Sequence, residues 1–201
     1  MVMSATVLAT TPAAAQWETV EMPARAQHSV VALQDGRLLA LGGTDADGIQ
    51  ATTLVYDGAW EFGPRLLTPR RGAAACVDGD GLVHLVGGYG DGAQRAEHEI
   101  LDPVELVWTS ATPLPAAGWE LACATDPAGN VHVLGGESRL ARHDIWDAEA
   151  RDWVQGEPMP EGRLQHDAIF GPDGTLYIVG GGSREELRTD LLVWREDEGW
   201  F

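Results

Sequence analysis

The sequence has no lysine, only two cysteines, and only three residues each of tyrosine and phenylalanine. All 13 basic residues are arginines, and 31 acidic residues outnumber them, so the formal net charge is −18. Phosphate backbones and anionic lipid head groups repel a chain of this charge, so neither nucleic acid nor a membrane surface is an expected partner. Its apolar runs also fall short of the roughly 18 residues that a membrane-spanning helix needs.

Two cysteines are too few for a disulfide scaffold or for a zinc site of four thiolates. We therefore expect Cys76 and Cys123 to be free thiols, buried as small apolar residues. Common catalytic motifs are absent too: there is no Gly-x-Ser-x-Gly, no His-Glu-x-x-His and no phosphate-binding loop. The sequence therefore predicts a protein without catalytic residues, cofactor or bound metal.

The first 16 residues are apolar and end in three alanines, which is faintly similar to a signal-peptide cleavage site. The segment lacks the basic n-region of a signal peptide, and Pro12 interrupts its apolar stretch. We therefore expect it to belong to the fold, and the sequence leaves the cellular compartment open.

Glycine, proline and tryptophan are plentiful, at 25, 11 and eight residues, which favours short strands joined by many turns. Four adjacent glycine pairs follow one another at spacings of 45, 48 and 45 residues, and each closes an apolar run of four or five residues. The pairs are Gly42 with Gly43, Gly87 with Gly88, Gly135 with Gly136, and Gly180 with Gly181. A further glycine precedes each pair by six residues and follows Asp in three of the four cases, which is a hairpin signal.

Large side chains mark the second half of each unit. Tryptophans recur at spacings of 43 to 48 residues, and a second large residue precedes four of them by four to seven positions. The tryptophans are Trp17, Trp60, Trp108, Trp153 and Trp200, and the preceding residues are Tyr56, Leu101, Trp146 and Trp194. This period, with turn signals and no helical periodicity, predicts four repeats of a propeller blade. The glycine pairs and these large side chains are expected to be structural, the latter filling the wedges between blades.

The glycine doublet, the aromatic residue 10 to 13 positions later and the tryptophan beyond it resemble Kelch repeats over essentially the whole chain. Leu101 departs from the pattern, and Arg195 replaces the acid found at Asp57, Asp102 and Asp147. The resemblance implies an all-β propeller of four-stranded antiparallel blades, with partner sites on the loops at one end. Some Kelch-like propellers are enzymes, including copper-radical oxidases and sugar mutarotases, and this keeps a sugar-directed enzyme as the alternative function.

The expected organisation is a single propeller over residues 1–201, with repeats at approximately 17–60, 61–108, 109–153 and 154–200 and an outer strand from residues 1–16. In the first unit, strands a, b and c are predicted at 27–33, 37–41 and 52–56, and strand d begins at Trp60. Three arrangements remain open: a portion of a larger ring, a ring that another copy of the chain completes by self-association, and a closed ring of four blades.

The histidines fall at repeated positions. His84 and His132 share a position on strand b, and His28 and His166 share one on strand a. The first two are interpreted as strand residues and the other two as polar lining of the central channel, with a metal at the axis as the alternative. Two Asp-x-Asp-Gly stretches, at 45–48 and 78–81, are similar to the start of a calcium loop, but turn chemistry explains them because no closing glutamate follows.

Most of the positive charge is expected at one end of the propeller, where the b–c and d–a loops lie (the b–c/d–a end). Nine of the 13 arginines fall in these loops, and a guanidinium can hold a carboxylate bidentately. Trp119 belongs to neither repeat series and is a candidate interface anchor, with packing against Pro113 and Pro115 as the alternative. The sequence therefore predicts a non-catalytic module that binds a protein or acidic peptide. The candidate ligand-binding residues are Arg25, Arg70, Arg71, Arg95, Trp119, Arg139, Arg142, Arg163 and Arg184.

Overall fold

The computed structural model describes residues 19–138, 140–183 and 185–201. These residues form 20 β-strands, and none of them lies in a helix. The outer strand expected from residues 1–16, and Trp17, lie outside the described residues. No described segment is a helix of the length and apolarity that crossing a membrane requires.

Sixteen of the strands form four antiparallel sheets of four strands each, so the chain is an array of four propeller blades. Blade 1 contains β1 (Ser29–Ala32), β2 (Leu38–Leu41), β5 (Thr53–Tyr56) and β6 (Trp60–Phe62). Blade 2 contains β7 (Ala74–Val77), β8 (Val83–Val86), β11 (His98–Asp102) and β12 (Val107–Ala111). Blade 3 contains β13 (Ala122–Thr125), β14 (Val131–Leu134), β15 (His143–Asp147) and β16 (Asp152–Gln155). Blade 4 contains β17 (Asp167–Phe170), β18 (Leu176–Val179), β19 (Leu191–Arg195) and β20 (Gly199–Trp200).

The four strands of blade 1 lie within one or two residues of the predicted bounds, and the meander order is the predicted one. Two short ribbons extend the b–c loops of blades 1 and 2. They pair β3 (Thr44–Asp45) with β4 (Gly48–Ile49), and β9 (Tyr89–Gly90) with β10 (Ala93–Gln94). In the first ribbon Asp45 Oδ1 accepts a hydrogen bond from the Asp47 N–H at 2.9 Å, so turn chemistry accounts for this Asp-x-Asp-Gly stretch.

The first glycine doublet shows why each blade needs this pair. Gly42 and Gly43 follow strand β2 with φ values of 60° and 92°, a region that other residues rarely adopt. A Cβ atom on Gly42 would lie 2.4 Å from the Arg70 carbonyl oxygen, and one on Gly43 would lie 2.7 Å from that of Ala26. The doublet therefore allows the backbone of the next loop to approach closely.

The innermost strands β1, β7, β13 and β17 lie side by side in chain order, and they surround a central cavity of about 300 Å³. Because the repeats share one strand register, tryptophan side chains also lie in the gaps between successive blades. The indole N–H of Trp108 donates to Thr53 Oγ1 of the preceding blade at 3.2 Å, and that of Trp153 donates to the Thr112 carbonyl at 2.8 Å. Trp200 repeats the contact with the Glu157 carbonyl at 3.1 Å. Each of these three indole groups therefore bonds to the blade that precedes it, which is the contact that the predicted wedge role requires.

The prediction of free thiols is wrong, because Cys76 and Cys123 form a disulfide. Cys76 lies on the innermost strand of blade 2 and Cys123 on that of blade 3, with their Cα atoms 6.1 Å apart. Counting cysteines excluded a scaffold of several disulfides, but it could not exclude one bridge between two residues 47 positions apart. The bridge fastens two neighbouring blades next to the channel.

Candidate functional site

Three of the arginines at the b–c/d–a end anchor the loop that enters a blade to that same blade. Arg25, Arg70 and Arg163 each precede a glycine doublet by 17 residues and donate to the carbonyl oxygen of its first glycine, at 3.1 to 3.2 Å. The second guanidinium nitrogen binds a strand-c residue or its neighbour: Thr52 for Arg25, Glu99 for Arg70, and Asp190 for Arg163.

Arg70 and Arg163, two of the candidate ligand-binding residues, have fully buried guanidinium groups that do not reach the surface. Burial lowers the pKa of Arg70, and the nearby carboxylates of Glu99 and Glu97 oppose this effect. The sequence does contain a signal for the structural role of these arginines, namely their constant spacing of 17 residues before the glycine doublets. Residues that bind a partner have no reason to follow the repeat.

Most of the remaining arginines at this end are paired with acids of their own loops. Arg95 bridges Asp91 and Glu97, and Arg142 binds the buried carboxylate of Asp144. Arg188 contacts Glu161 and Glu186. Arg139 and Arg184 lie outside the described residues. An arginine that is paired in this way has little charge left to attract a partner. Fewer arginines are therefore available for binding at this end of the propeller than the sequence predicts.

Arg71 differs from these arginines, because it forms no ion pair with any residue that the structure describes. Its guanidinium lies 5.3 Å from the ring centroid of Tyr89 and 5.5 Å from that of Trp119, and its Nη1 donates to Gln27 Oε1 at 2.7 Å. The Tyr89 and Trp119 rings are themselves 5.4 Å apart. We call these three half-buried residues, Arg71, Tyr89 and Trp119, the Arg71 platform.

Repeat geometry builds the platform. Arg71 and Trp119 occupy the same position in successive repeats, and Arg71 pairs with Tyr89 of the β9–β10 ribbon through backbone hydrogen bonds of 2.8 and 3.1 Å. Trp119 lies over Gly72, where a Cβ would be 3.2 Å from the indole ring, and its indole N–H donates to Glu137. The ring therefore packs on the blade 2 loop.

The platform stands beside the mouth of the central channel. Gln27, Glu120 and Gln165 occupy one repeat position at this mouth and share a left-handed backbone, with φ values of 54° to 56°, which is uncommon for residues other than glycine. Together with His28 and the fourth member of the series, Gly72, they line a cavity of about 250 Å³. The Gln165 amide donates to Glu120 Oε1 at 2.9 Å. The mouth thus gathers a carboxylate, two amides and an imidazole.

His28 and His166 lie on strand a or at its entry, as expected. His166 is 6% exposed and neither of its ring nitrogens has a hydrogen-bond partner, and the same holds for Nδ1 of His28. Burial, reinforced by Arg163, lowers the pKa of His166 to about 4, so the ring is neutral at physiological pH. Among the described residues, no group of three or more His, Cys, Asp or Glu side chains could hold a metal ion.

His84 and His132 have a larger role than the expected one of simple strand residues. In blade 2 a buried chain runs from Asp78 Oδ2 to His84 Nε2 (3.0 Å), from His84 Nδ1 to His98 Nε2 (2.8 Å), and from His98 Nδ1 to the Thr112 carbonyl (3.1 Å). Blade 3 repeats it with Asp126, His132, His143 and the Glu157 carbonyl. We call these two chains the histidine relays.

The donors in a relay follow from chemistry. A backbone carbonyl can only accept, so His98 donates from Nδ1 and its unprotonated Nε2 accepts from Nδ1 of His84. The contact between His84 Nε2 and Asp78 then requires one proton on one of those two atoms. Both nitrogens of each ring are used inside the protein, so the relays offer no group to a substrate. The sequence contains no direct signal for the relays, because each second histidine lies on strand c and meets the strand-b histidine only through the register of the two strands.

A cavity of about 540 Å³ lies at the opposite end of the propeller between blades 3 and 4. Many of its lining residues are acids that already serve the turns. Asp126 binds Asn130, Asp147 accepts from the N–H groups of Glu149 and Ala150, and Glu198 pairs with Arg195. These hydrogen bonds and this ion pair explain the presence of the acids, so no ligand needs to be invoked for this cavity.

Two known proteins are similar to this chain. It is 27% identical to Beta-scruin of Limulus polyphemus over 135 residues, which are 61% of this chain and 14% of that protein. Its structure superposes on that of YjhT with a TM-score of 0.72 at 16% identity, covering 88% of this chain and 70% of that chain. No protein-family model matches the chain. The sequence similarity, the superposition and the four repeats together support a Kelch-repeat β-propeller.

The Kelch propeller described here spans only a seventh of the length of Beta-scruin, so the relationship concerns the repeats alone. The similarity to YjhT is a similarity of fold, given its 16% identity. Within the propeller, the Arg71 platform and the channel mouth lie next to each other at the b–c/d–a end, and the bond between Arg71 and Gln27 connects them.

Proposed function

We propose that this Kelch propeller is a non-catalytic binding module, and that the Arg71 platform at its b–c/d–a end binds a carboxylate of a partner protein or acidic peptide. One observation carries the proposal: Arg71 lies over the rings of Tyr89 and Trp119 and has no carboxylate partner within the described residues, whereas Arg70, Arg95, Arg142 and Arg163 each bind an acid. Arg25, Arg65 and Arg151 form no described ion pair either, but no described aromatic ring holds their guanidinium groups as the platform holds that of Arg71.

The platform suits an interface for three reasons. Its aromatic rings offer apolar area at small entropic cost, and arginine and aromatic residues are enriched among binding hot spots. The rings hold the guanidinium through cation–π contacts, so its position is fixed before binding. The surrounding acids repel negatively charged partners at long range, so recognition depends on a single well-placed carboxylate and not on overall charge.

A selection from a random peptide library, with the purified chain as bait, tests this proposal. We expect the enriched peptides to contain an Asp or Glu beside an apolar residue, and to lose binding to Arg71→Ala and Trp119→Ala. The matched control is Arg151→Ala, since Arg151 is exposed in the c–d turn of blade 3 at the other end. Enrichment of peptides without carboxylates, or peptides that bind Arg71→Ala as well as the unaltered chain, would refute the proposal.

A sugar-directed enzyme is the second candidate, and the composition of the channel mouth favours it. Glu120, His28, Gln27 and Gln165 line one cavity, and Arg71 lies against it through its bond to Gln27. A carboxylate and an imidazole can exchange protons with a sugar, and amides can bind its hydroxyl groups.

Exchange NMR on a panel of reducing monosaccharides tests this second candidate. If the mouth is catalytic, the chain accelerates the interconversion of the two anomers of at least one sugar, and Glu120→Gln removes the acceleration. If anomer exchange with the chain equals that in buffer for every sugar, the enzyme hypothesis is rejected for this class of reaction.

A further inference from the structure

Each blade has two faces that pack against its neighbours. On the face turned toward the following blade (the forward face), Cys76, Val86 and His98 of blade 2 are all buried, with exposures of 7%, 0% and 1%. The strand registers place Ile169, Val179 and Leu191 at the same three positions of blade 4. The forward face of blade 4 is therefore the counterpart of an interface that blades 1 to 3 already form.

In blade 4 this face has no cover within the described residues. Ile169 is 63% exposed, Val179 52% and Leu191 48%, although all three are apolar. The opposite face of blade 1 (the backward face) is open at the two ends of one cross-strand row, where Val30 and Phe62 are 54% and 72% exposed, whereas Ala40 and Leu54 between them are 1% exposed. The row that links Val30 to Phe62 across the sheet matches the row of Cys123 in blade 3.

Backbone hydrogen bonds between blades show that the two open faces complement each other. The N–H of the second doublet glycine donates to a loop carbonyl of the following blade: Gly43 to Arg70, Gly88 to Gly118, and Gly136 to Arg163. The Gly181 N–H makes no hydrogen bond to another described residue, and neither does the carbonyl of Arg25, which is the equivalent acceptor in blade 1.

A second series of hydrogen bonds behaves in the same way. At the channel mouth the Gly72 N–H donates to the Gln27 carbonyl, Glu120 donates to Gly72, and Gln165 donates to Glu120. The series ends at an acceptor in blade 4, the Gln165 carbonyl, and begins at a donor in blade 1, the Gln27 N–H, and neither makes such a bond within the described residues. Blade 4 thus presents one donor and one acceptor, and blade 1 presents their counterparts.

We propose that the forward face of blade 4 docks on the backward face of blade 1 of a second copy of this chain, and that two such contacts join two copies into one ring. The partner that docks on blade 4 must present a blade face with a backbone carbonyl at the position of Arg25 and a backbone N–H at the position of Gln27. Blade 1 of another copy has that face. Because the contact joins two different faces, a closed ring forms only when blade 4 of each copy docks on blade 1 of the other copy.

The native disulfide supplies a direct test. It joins a forward-face position of blade 2, Cys76, to a backward-face position of blade 3, Cys123. By the repeat, Ile169 corresponds to Cys76 and Val30 to Cys123. The double variant Val30→Cys/Ile169→Cys should therefore form disulfides between copies on mild oxidation, visible as covalent dimers on a non-reducing gel. Each single variant is the control and should give markedly less dimer, because its cysteine would face an apolar residue.

The crosslinking result has two outcomes that overturn the proposal. Absence of covalent dimer means that these faces do not meet. A disulfide within one chain, which leaves the mass unchanged while both new thiols disappear, means that the four blades close on themselves.

Mass in solution, measured by light scattering, tests the same contact without new cysteines. The unaltered chain should have twice the mass of the 21.5 kDa protomer. Val179→Asp should return it to the protomer mass, whereas Val104→Asp, at an 81% exposed position in the c–d turn of blade 2, should leave the mass unchanged. A protomer mass for the unaltered chain at high concentration would overturn the proposal, as would a Val179→Asp variant that keeps the doubled mass while its circular dichroism spectrum is native.

Discussion

At the scale of single residues, each blade is fastened to its own loops by buried polar groups. Arg70 donates to two carbonyl oxygens and to Glu99 of blade 2, and the histidine relays end on carbonyl oxygens of the loops. A buried polar group without a partner is costly, so each of these contacts fixes the position of a loop on its blade. The same contacts recur at the same spacing along the chain, which explains why charged and titratable side chains are found in the interior of this acidic protein.

The buried histidines make stability depend on pH. Burial, together with His84 for His98 and His132 for His143, lowers the pKa of His98 to about 3 and that of His143 to about 4, and the pKa of His166 is also about 4. In the unfolded chain these rings have a pKa near 6.5, so between pH 6.5 and pH 4 the unfolded state binds more protons. The free energy of unfolding should be constant above pH 6.5 and fall below it, by up to about 1.4 kcal/mol per pH unit for each ring. Urea denaturation at a series of pH values measures this slope.

His166→Leu provides the control for this pH dependence, because His166 makes no hydrogen bond that the variant would lose. The slope below pH 6.5 should decrease by about one proton, while the stability at pH 7 is kept. An unchanged slope would show that His166 is not neutral in the folded protein.

At the scale of the elements, each outer strand fastens its blade to the preceding one through a tryptophan. Trp153 packs against His98 and Trp146, with ring centroids 5.2 and 5.4 Å apart, and its indole donates to the Thr112 carbonyl. Trp60 has the same position in blade 1, but among the described rings it contacts only Tyr56 of its own blade. A comparison of variants at Trp153 and Trp60 therefore separates two contributions to the free energy of unfolding, that of contacts between blades and that of contacts within a blade.

Trp153→Ala should lower the free energy of unfolding by about 3–5 kcal/mol, because it removes a large side chain from the wedge between blades 2 and 3. Trp60→Ala should cost clearly less when both are measured by urea denaturation at concentrations where the chain is monomeric. Equal losses would mean that the tryptophans stabilise their own sheets and not the stacking of blades.

The disulfide is the second fastening between elements, and its loss should also be measurable. Cys76 and Cys123 close a loop with a sequence separation of 47, for which loop-closure entropy gives a stabilisation of about 4 kcal/mol. The double variant Cys76→Ala/Cys123→Ala should lose stability of this order in urea denaturation. Reducing agent should destabilise the unaltered chain and leave the double variant unaffected. If reduction has no effect on the unaltered chain, the bridge does not contribute.

At the scale of the whole molecule, the repeat period determined how much could be predicted. The doublet spacing and the Asp-Gly turns predict the blades and strands β1, β2, β5 and β6 closely, since these are local signals. Contacts between blades are not local. The disulfide depends on which faces of blades 2 and 3 meet, and one repeat read alone does not contain that information. The burial of Arg70 and the pairing of His84 with His98 arise within blade 2, but they depend on three-dimensional packing that the spacing of single residues does not give.

The same limit applies to the candidate site. A count of arginines in loops predicted a broad basic surface, and the structure reduces it to the Arg71 platform because ion pairs depend on side-chain geometry. Trp119 was identified correctly as a residue outside the repeat series, since a position that departs from a repeat is not needed to build the blade. Its contact with Arg71 followed from their shared position in successive blades.

A double-mutant cycle on a peptide from the library selection tests the function most directly. Arg71→Ala is combined with replacement of each peptide Asp by Asn or Glu by Gln, and the four dissociation constants of each cycle are measured by fluorescence anisotropy. One carboxylate should couple to Arg71 by about 1 kcal/mol or more, and this coupling should shrink as salt screens the charges. The same cycles with Arg151→Ala should show none. If no carboxylate of any selected peptide couples to Arg71, the platform does not read acidic partners and the account of this end of the propeller is contradicted.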